Sequence, residues 1–325
     1  ASGSIPAILL NIPGTPSSVA TTFDGFPMAQ KGEAGRALGL AIVASFFGGV
    51  ASMVVLSLLA PPIAEFALRF GAAEYFSLSI FGLVIIASVA GKSLLKGLIA
   101  GLIGFFCSTI GTDPIAGVDR FTFGQLSLLT GINLLPALIG LFAVSQVLKD
   151  AFEYDPSNKL QNSPHKVDIA RPRFIETLRN WRALLVGIVS GSVVGPVPGA
   201  GGSIASLVAY DQARRFSKTP EKFGKGHGAG IVSVESANNA LLGGALIPTL
   251  ALGIPGEAAT AVLLGGLMIQ GVTPGPMLFE SQSGIIYGIF LAYLVANFFM
   301  LVIMCLGIKL FVRVLLVPRK QLISA

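Results

Sequence analysis

Two distant stretches of this chain share one pattern, an apolar run that ends in Ile-Pro-Gly. Residues 3–14 read GSIPAILLNIPG, and residues 243–256 read GGALIPTLALGIPG. Each residue of the second copy lies 242 positions after its counterpart, and the identical pairs include Ile5 and Ile247, Pro6 and Pro248, Ile12 and Ile254, Pro13 and Pro255, and Gly14 and Gly256. The repeat predicts a chain built from two related halves.

Both copies are expected to break a helix. Proline removes a backbone donor and clashes with the preceding turn, while glycine permits conformations that are closed to other residues. Inside a membrane, such a break persists only where protein or a water-filled cavity satisfies the freed backbone groups. Apolar segments interrupted by Gly and Pro at corresponding positions of two halves are typical of a transporter's binding site. For a single break, helix kinking for packing alone is the competing interpretation, since both residues are common in membrane helices.

The composition is that of an integral membrane protein. Hydrophobic residues make up 53% of the 325, charged residues 12%, and the mean hydropathy is +0.78, whereas a soluble domain carries about 25% charge. Long apolar runs predict helices rather than a barrel. The net charge of +6 is attributed to cytoplasmic loops and not to nucleic-acid binding. Both cysteines, Cys107 and Cys305, lie in apolar runs, so no disulfide framework is expected.

The apolar runs predict an all-α, polytopic membrane protein. Residues 37–60 form a span that Pro61 and Pro62 are expected to stop, and residues 63–74 read as a short interfacial helix. Residues 75–91 and 94–110 are either two tilted spans or one hairpin. The polar segment 111–124 is expected to be a loop, residues 125–148 and 284–308 are further spans, and residues 228–272 are one apolar region broken at Gly253–Gly256.

Charge in the loops predicts the topology. Residues 149–182 and 211–227 are both rich in Lys and Arg, which places both on the cytoplasmic side. The apolar segment 183–210 between them therefore enters and leaves on one side, as a re-entrant hairpin with its tip at residues 198–202. The same rule makes the two repeat copies inverted. The predicted organisation is a first half (1–148), a cytoplasmic linker (149–182) and a second, inverted half (183–325). Because the first repeat copy begins at residue 3, without the Gly-rich segment that precedes the second copy, the chain is interpreted as an internal fragment.

The predicted substrate or ion site lies where the broken segments meet. A helix start offers unpaired N–H groups to a carboxylate, and unwound carbonyls suit a cation. The predicted lining comprises Asn11, Pro13, Gly14, Thr15, Ser17 and Ser18 in the first break, Pro198, Gly199, Gly201, Gly202 and Ser203 in the hairpin tip, and Gly253, Pro255, Gly256 and Thr260 in the second break.

A polar cluster inside an apolar region supplies the predicted ion site. Glu235 shares a helical face with Asn238 and Asn239 at spacings of three and four. An intramembrane carboxylate is a candidate sodium or proton site. The alternative is that Glu235, close after Gly228, lies in water at the interface. Asp24 and Glu257 adjoin the breaks and are weaker candidates.

No enzyme site is expected. His165 and His227 lie in basic loops, are expected to be solvated and have no metal-ligand partner at a suitable spacing. The segment GPVPGAGG lacks the GK[ST] ending of a phosphate-binding loop. No serine lies in a GxSxG arrangement with a placed histidine. No metal and no cofactor are predicted, apart from a coupling sodium ion or proton.

At these motifs the chain resembles the large membrane subunit of the tripartite tricarboxylate transporter family, the TctA-type permease. The resemblance spans residues 3 to about 280 and rests on NIPGTPSSVATTFDGFPMAQKGEAGRALG, KGLIAGLIGFFCSTIGTDPIAGVDRFTFG, GPVPGAGGSIASLVAYDQARRFSK, EKFGKGHGAG, VESANNA, GGALIP, LGIPG and GVTPGPMLF. It implies a permease of the bacterial inner membrane that imports citrate or related carboxylates on an ion gradient. It also implies two partners, a small membrane subunit and a periplasmic binding protein. The alternative is an ion-coupled organic anion permease that needs no binding protein.

Overall fold

The computed structural model describes residues 3–71, 94–113, 117–132, 171–198 and 200–315, with isolated positions at 73, 74, 76, 77, 80 and 137. Most of the predicted spans at 75–91 and 125–148 lies outside these residues, and so does His165. The helices are α1 (Ser4–Leu10), α2 (Val19–Gln30), α3 (Ala34–Ala67), α4 (Leu94–Ser108), α5 (Phe174–Arg179), α6 (Trp181–Val194), α7 (Gly201–Arg215), α8 (Gly228–Leu252), α9 (Ala258–Ile269), α10 (Pro276–Ser281) and α11 (Ser283–Leu315).

The described chain is almost entirely helical, as the apolar runs predict. Three-residue 3₁₀ turns cover Pro16–Ser18, Leu126–Leu128 and Pro220–Lys222. The segment 111–124, predicted to be a loop, contains a short antiparallel pair of strands, β1 (Gly111–Thr112) and β2 (Asp119–Arg120). Residues 125–132 form a 3₁₀ turn, a further turn at residues 129–130 and irregular chain, so the prediction of a span starting at Gln125 is wrong for these residues.

Helix α8 lies at the centre of the described bundle. Nearly all of its residues are buried, from Gly228 at its first turn to Ala251 near its end, with Asn238, Asn239 and Leu242 partly buried. The helix packs against α3, α6 and α7. Small residues make this close approach possible. A β-carbon at Gly187 or Gly191 of α6, or at Gly195 directly after it, would lie 2.0–2.4 Å from atoms of α8. The four-residue spacing of these glycines puts them on one face of α6, which is the face that α8 covers.

Helix α3 shows that the two prolines do not stop the helix. The prediction that it ends before Pro61 is wrong, and so is the separate interfacial helix at residues 63–74, because α3 continues to Ala67. Proline already has a helical φ, and the pair removes only two backbone bonds near the end of the helix. The buried face continues past the prolines through Ala60, Ala64 and Ala67. Packing of this face offsets the lost bonds.

Two helices of the described residues are long and apolar enough to cross a membrane, namely α3 and residues Ser283–Ile308 of α11. Helix α11 starts one residue before its predicted span and continues beyond it. Large apolar side chains on its outer side are exposed, including Leu291 (61%) and Leu306 (79%). Exposed apolar surface of this extent is expected of a helix that faces lipid.

The hairpin predicted between residues 183 and 210 is present as two helices joined by a short break. Helix α6 runs from Trp181 to Val194, and α7 starts at Gly201. The two helices contact each other, and both contact α8. Helix α5 and the first residues of α6 occupy the end of the range 149–182, which the sequence assigns to a polar linker. The re-entrant path of the hairpin and the division into inverted halves stay predictions.

Candidate functional site

The first break is an ordered turn with its own hydrogen bonds. Helix α1 ends at Asn11, which has left-handed backbone geometry (φ 56°). The N–H groups of Asn11 and Ile12 both donate to the carbonyl oxygen of Pro6. Thr15 then donates its N–H to Ser18 Oγ (3.1 Å), and Ser18 Oγ donates to the Thr15 carbonyl oxygen (2.8 Å). These bonds satisfy backbone groups that the break would otherwise leave unpaired.

The second break has the same geometry, residue for residue. Gly253 is left-handed (φ 71°), and Gly253 and Ile254 both donate their N–H groups to the carbonyl oxygen of Pro248. Glu257 donates its N–H to Thr260 Oγ1 (3.1 Å), and Thr260 Oγ1 donates to the Glu257 carbonyl oxygen (2.9 Å). Each of these residues lies 242 positions after its counterpart in the first break. The sequence repeat is therefore also a repeat of local structure.

Gly202 and Gly195, on either side of the turn between α6 and α7, contact the two breaks. A β-carbon at Gly202 would lie 2.6 Å from Ser17 Cβ, in the first break, and 3.1 Å from Asn238 Oδ1 of α8. A β-carbon at Gly256, in the second break, would lie 2.6 Å from the carbonyl oxygen of Gly195. The first break therefore meets the hairpin at the predicted lining residue Gly202, and the second break meets it at Gly195, just before the predicted tip. Glycine is what allows these backbones to approach.

The predicted lining residues differ in exposure. In the first break the outer residues are exposed and the inner ones are covered, with Asn11, Pro13, Gly14 and Thr15 exposed, Ser17 partly buried and Ser18 buried. In the hairpin tip, the partly buried residues are Pro198, Gly201, Gly202 and Ser203, and Gly199 lies outside the described residues. In the second break, Gly253 and Pro255 are partly buried, and Gly256 and Thr260 are buried.

Glu235 is fully buried (0% exposed) on α8. Thr21 Oγ1 of α2 donates to Glu235 Oε1 (2.6 Å), and Ser45 Oγ of α3 donates to Oε2 (3.1 Å). The alternative that this carboxylate lies in water at the interface is therefore wrong. A carboxyl group in this position needs a proton, a cation or strong donors, because burial of a bare charge is unfavourable. The two hydroxyls supply one such donor to each oxygen.

The two neighbouring asparagines do not join this carboxylate. Asn238 faces the hairpin at Gly202. Asn239 Nδ2 donates to the backbone carbonyl oxygen of Glu235 (3.0 Å), and the Asn239 carbonyl oxygen accepts from Tyr293 Oη (3.4 Å). Glu235, Asn238 and Asn239 share a face of α8 as predicted, but their side chains contact different groups.

Sequence reasoning missed Thr21 and Ser45 as partners of Glu235. They lie 214 and 190 residues away from it along the chain, so no local spacing connects them. Thr21 follows the first break closely, and its polar side chain near a predicted site was the available signal. Ser45, inside a long apolar run, offered no signal of a partner.

Asp24, a weaker candidate, is buried and fully engaged. Its oxygens accept from Tyr210 Oη (2.9 Å) and from the N–H groups of Gly226 (2.8 Å) and His227 (2.7 Å). Its negative charge lies at the N-terminal end of α8, where the helix dipole favours an anion. These contacts connect α2 to the start of α8 and to the hairpin. Glu257, the other weaker candidate, is partly buried at the start of α9.

His227 is not solvated as the sequence predicts. It is partly buried as the residue before α8, and its ring lies edge-on to Phe223, with centroids 5.1 Å apart. Burial lowers the pKa of His227 below its ordinary value, and the positive charge of Lys222 acts in the same direction, while nearby Asp24 opposes both. The imidazole is therefore held in its neutral form over a wider pH range than a free histidine.

Comparison with known proteins identifies the family. The sequence model of a family described as "Tripartite tricarboxylate transporter TctA family" matches residues 1–325. This chain belongs to the TctA family. That is a family of membrane permeases of tripartite tricarboxylate transporters and not of enzymes. The family named from the sequence motifs is confirmed.

Two relatives come from Agrobacterium vitis. The chain is 38% identical, over 99% of its length, to an "uncharacterized 52.8 kDa protein in TAR-I ttuC' 3'region" and covers 64% of that protein. It is 36% identical over 42% of its length to an "uncharacterized protein in TAR-II ttuC' 3'region" and covers 56% of it. The chain thus spans less than two thirds of these relatives. No solved structure matches it.

The candidate site of this TctA-family chain is lined by polar groups but by no Lys or Arg side chain. Residues 3–30, 195–203 and 228–260 include no Lys or Arg. An anion between the breaks and the hairpin would therefore be held by hydroxyls and the Asn238 amide rather than by ion pairs. Donors of this kind bind a carboxylate with modest affinity and allow its release.

Proposed function

We propose that this chain forms the substrate path of a secondary transporter that imports citrate, other tricarboxylates or related carboxylates across the bacterial inner membrane. The observation that carries the proposal is the hairpin tip lying between two breaks of matching geometry, in a chain of the TctA family. An ion gradient drives uptake. A small membrane subunit and a periplasmic binding protein complete the system, and the binding protein delivers the substrate.

The substrate carboxylates bind between the three segments. Matched breaks in two halves of a transporter place helix ends at one site. Here Thr15 and Ser17, whose hydroxyl oxygens are 3.0 Å apart, lie on the exposed side of the first break. Asn238 lies beside Gly202 on the hairpin side. In the proposal, movement of the two inverted halves about this site exposes the substrate to each side in turn.

Glu235 is the proposed site of the coupling sodium ion or proton. Its carboxylate is held by one hydroxyl from α2 and one from α3. Uptake of a cation or proton there would change the charge at the junction of three helices, one of which leads into the second break. That junction is a suitable place to couple ion binding to movement of the substrate site.

Uptake of labelled citrate tests the proposal. The whole protein that contains this chain is expressed with its small subunit in cells that lack citrate carriers, with and without the binding protein. The expected result is uptake that requires the binding protein and stops when the ion gradients are dissipated. The same panel with dicarboxylates and aromatic acids identifies the substrate class.

Two outcomes would overturn parts of the proposal. Uptake that is indifferent to the binding protein would favour the alternative, an ion-coupled organic anion permease that works alone. Absence of uptake for every carboxylate, with the protein demonstrably in the membrane, would contradict carboxylate transport.

A further inference from the structure

A basic cleft lies at the end of the hairpin opposite the candidate site. It has a volume of about 440 Å³ and is formed where α5 meets α6, where α7 ends and where α8 begins. Arg179, Arg182 and Lys218 line it. The turn between α6 and α7, where Gly195 and Gly202 lie, is at the other end of both helices. The cleft is therefore separate from the substrate region.

The cations of the cleft are not neutralised by the protein within the described ranges. All three are exposed, and none of them forms an ion pair with a carboxylate among the described residues. The nearby Glu176 is already engaged with Arg36. Three positive charges around one concave surface attract an anion, and guanidinium groups match the geometry of phosphate oxygens.

Next to the cleft, α6 presents an exposed apolar stripe. Trp181 lines the cleft and is 53% exposed. At successive four-residue steps along the same face come Leu185 (49% exposed), Val189 (59%) and Val193 (67%). Four-residue spacing places these side chains in one row. The Arg182 guanidinium carbon lies 5.5 Å from the centroid of the Trp181 ring, so the charge stays at the cleft end of the row.

The basic cleft and the adjoining apolar stripe together indicate which kind of anion binds. A free phosphate would need only the cations, whereas a phospholipid needs cations for its headgroup and an adjoining apolar surface for its acyl chains. Tryptophan beside basic residues is typical of the level of the membrane at which headgroups lie. Basic pockets between membrane helices are suited to anionic lipid headgroups.

We propose that the cleft binds the phosphate headgroup of an anionic phospholipid, whose acyl chains lie along Trp181, Leu185, Val189 and Val193. The lipid belongs to the leaflet that faces the Lys- and Arg-rich loops. Because the cleft is formed by α5, α6, α7 and α8 together, a bound lipid holds the base of the hairpin against the start of α8. This inference requires only a membrane location and does not depend on the transported substrate.

The test uses the fluorescence of Trp181, the one tryptophan of this sequence. The whole protein is purified in a neutral detergent, with any tryptophan outside this chain replaced by phenylalanine. It is titrated with short-chain phosphatidylglycerol, with phosphatidylcholine of the same chain length and with inorganic phosphate. The expected result is a saturable change with phosphatidylglycerol at much lower concentration than with phosphatidylcholine, and none with phosphate.

Matched double variants assign the response to the cleft. Arg182→Gln with Lys218→Gln should weaken phosphatidylglycerol binding roughly 30-fold, since each basic residue near an anionic headgroup contributes about fivefold. Arg214→Gln with Lys222→Gln removes the same charge from exposed positions outside the cleft lining and should leave binding unchanged. Unaltered melting temperatures show that both variants are folded, and Lys218→Gln alone serves if the first double variant is not.

Three results would overturn the proposal. Equal binding by both double variants would place the lipid elsewhere. Equal responses to phosphatidylglycerol and phosphatidylcholine would remove the role of the basic residues. Saturation by inorganic phosphate in the same concentration range would show a site for a soluble anion, with the apolar stripe playing no part.

Discussion

The two breaks have the same backbone and different surroundings. In both, a left-handed residue ends a helix, two N–H groups share one proline carbonyl oxygen, and a hydroxyl caps the next turn. The first break follows a helix of seven residues and is exposed at Thr15, whereas the second follows a helix of 25 residues and carries Glu257 at that position. The backbone is thus repeated, while the side chains and the burial are not.

This difference indicates a division of labour. Prolines, glycines and capping hydroxyls determine the backbone geometry, so they recur in both copies. The other side chains of the breaks differ between the two copies. Thr15 of the first copy corresponds to Glu257 of the second, a hydroxyl in place of a carboxylate. Asn11 corresponds to Gly253, an amide in place of no side chain. The Thr21–Glu235 hydrogen bond joins the helix after the first break to the helix before the second. Asp24 of α2, which accepts from the N–H groups of Gly226 and His227, provides a second link between these helices.

Replacement of Glu235, which links the helices of the two breaks, should have the largest effect on transport. Glu235→Gln keeps the shape of the side chain but abolishes its ability to take up a proton or a cation. Gradient-driven uptake should fall more than about tenfold, equivalent to at least 1.4 kcal/mol in the activation free energy. The measurement is initial uptake against an imposed ion gradient, with Glu280→Gln, at an exposed carboxylate, as the control. Unchanged uptake and unchanged ion dependence would exclude Glu235 from coupling.

Adding one methyl group to each break should separate the buried copy from the exposed one. At Gly256 a β-carbon would lie 2.6 Å from the Gly195 carbonyl oxygen, which cannot move easily in the core. Gly256→Ala should therefore lower the free energy of unfolding by about 1–3 kcal/mol. At Gly14 a β-carbon would also lie close to its neighbours, 2.7 Å from Pro6 Cγ and 2.9 Å from Gly3 Cα, but Gly14 itself is exposed and the turn can shift towards the surface. Gly14→Ala should therefore lower the free energy of unfolding by less, about 0.5–1 kcal/mol.

Thermal melting in detergent measures both effects, and Gly266→Ala, where a β-carbon would meet nothing within 4 Å, is the control. Equal losses at Gly14 and Gly256 would show that the difference in burial between the breaks has no energetic consequence.

The sequence predicted the parts of this site that depend on local rules. The breaks and the apolar helices follow from Pro, Gly and hydrophobicity within short windows, and the two-helix hairpin follows from the basic segments on both sides of residues 183–210. The contacts of Glu235 could not be predicted, because Thr21 and Ser45 reach it only through packing of distant helices. The error at Pro61 has the same origin, since the buried face of α3 offsets the two missing hydrogen bonds. Tertiary packing decided each point that local rules left open.

The left-handed position should show how far the two copies are interchangeable. Gly253→Ala should lower the free energy of unfolding by about 1–2 kcal/mol, because a β-carbon is unfavourable at this φ. Gly253→Asn should lower it by about half as much, since asparagine adopts this conformation more readily. Asn11→Gly should change it by less than about 0.5 kcal/mol. Chemical or thermal unfolding of the three variants provides the comparison, and a larger loss for Asn than for Ala at position 253 would contradict it.

The smallest expected effect concerns the anchor between α2 and the start of α8. Burial lowers the pKa of His227 in the folded protein, whereas an unfolded histidine titrates near pH 6.5. As pH falls below about 6.5, the unfolded chain takes up this proton first, so the contribution of His227 to stability is complete above that pH and declines below it. His227→Gln should make melting less dependent on pH between about 5 and 7 than melting of the unsubstituted protein. A steeper slope in His227→Gln would mean that protonation of this histidine strengthens the Asp24 anchor, and so the connection of the first break to the second.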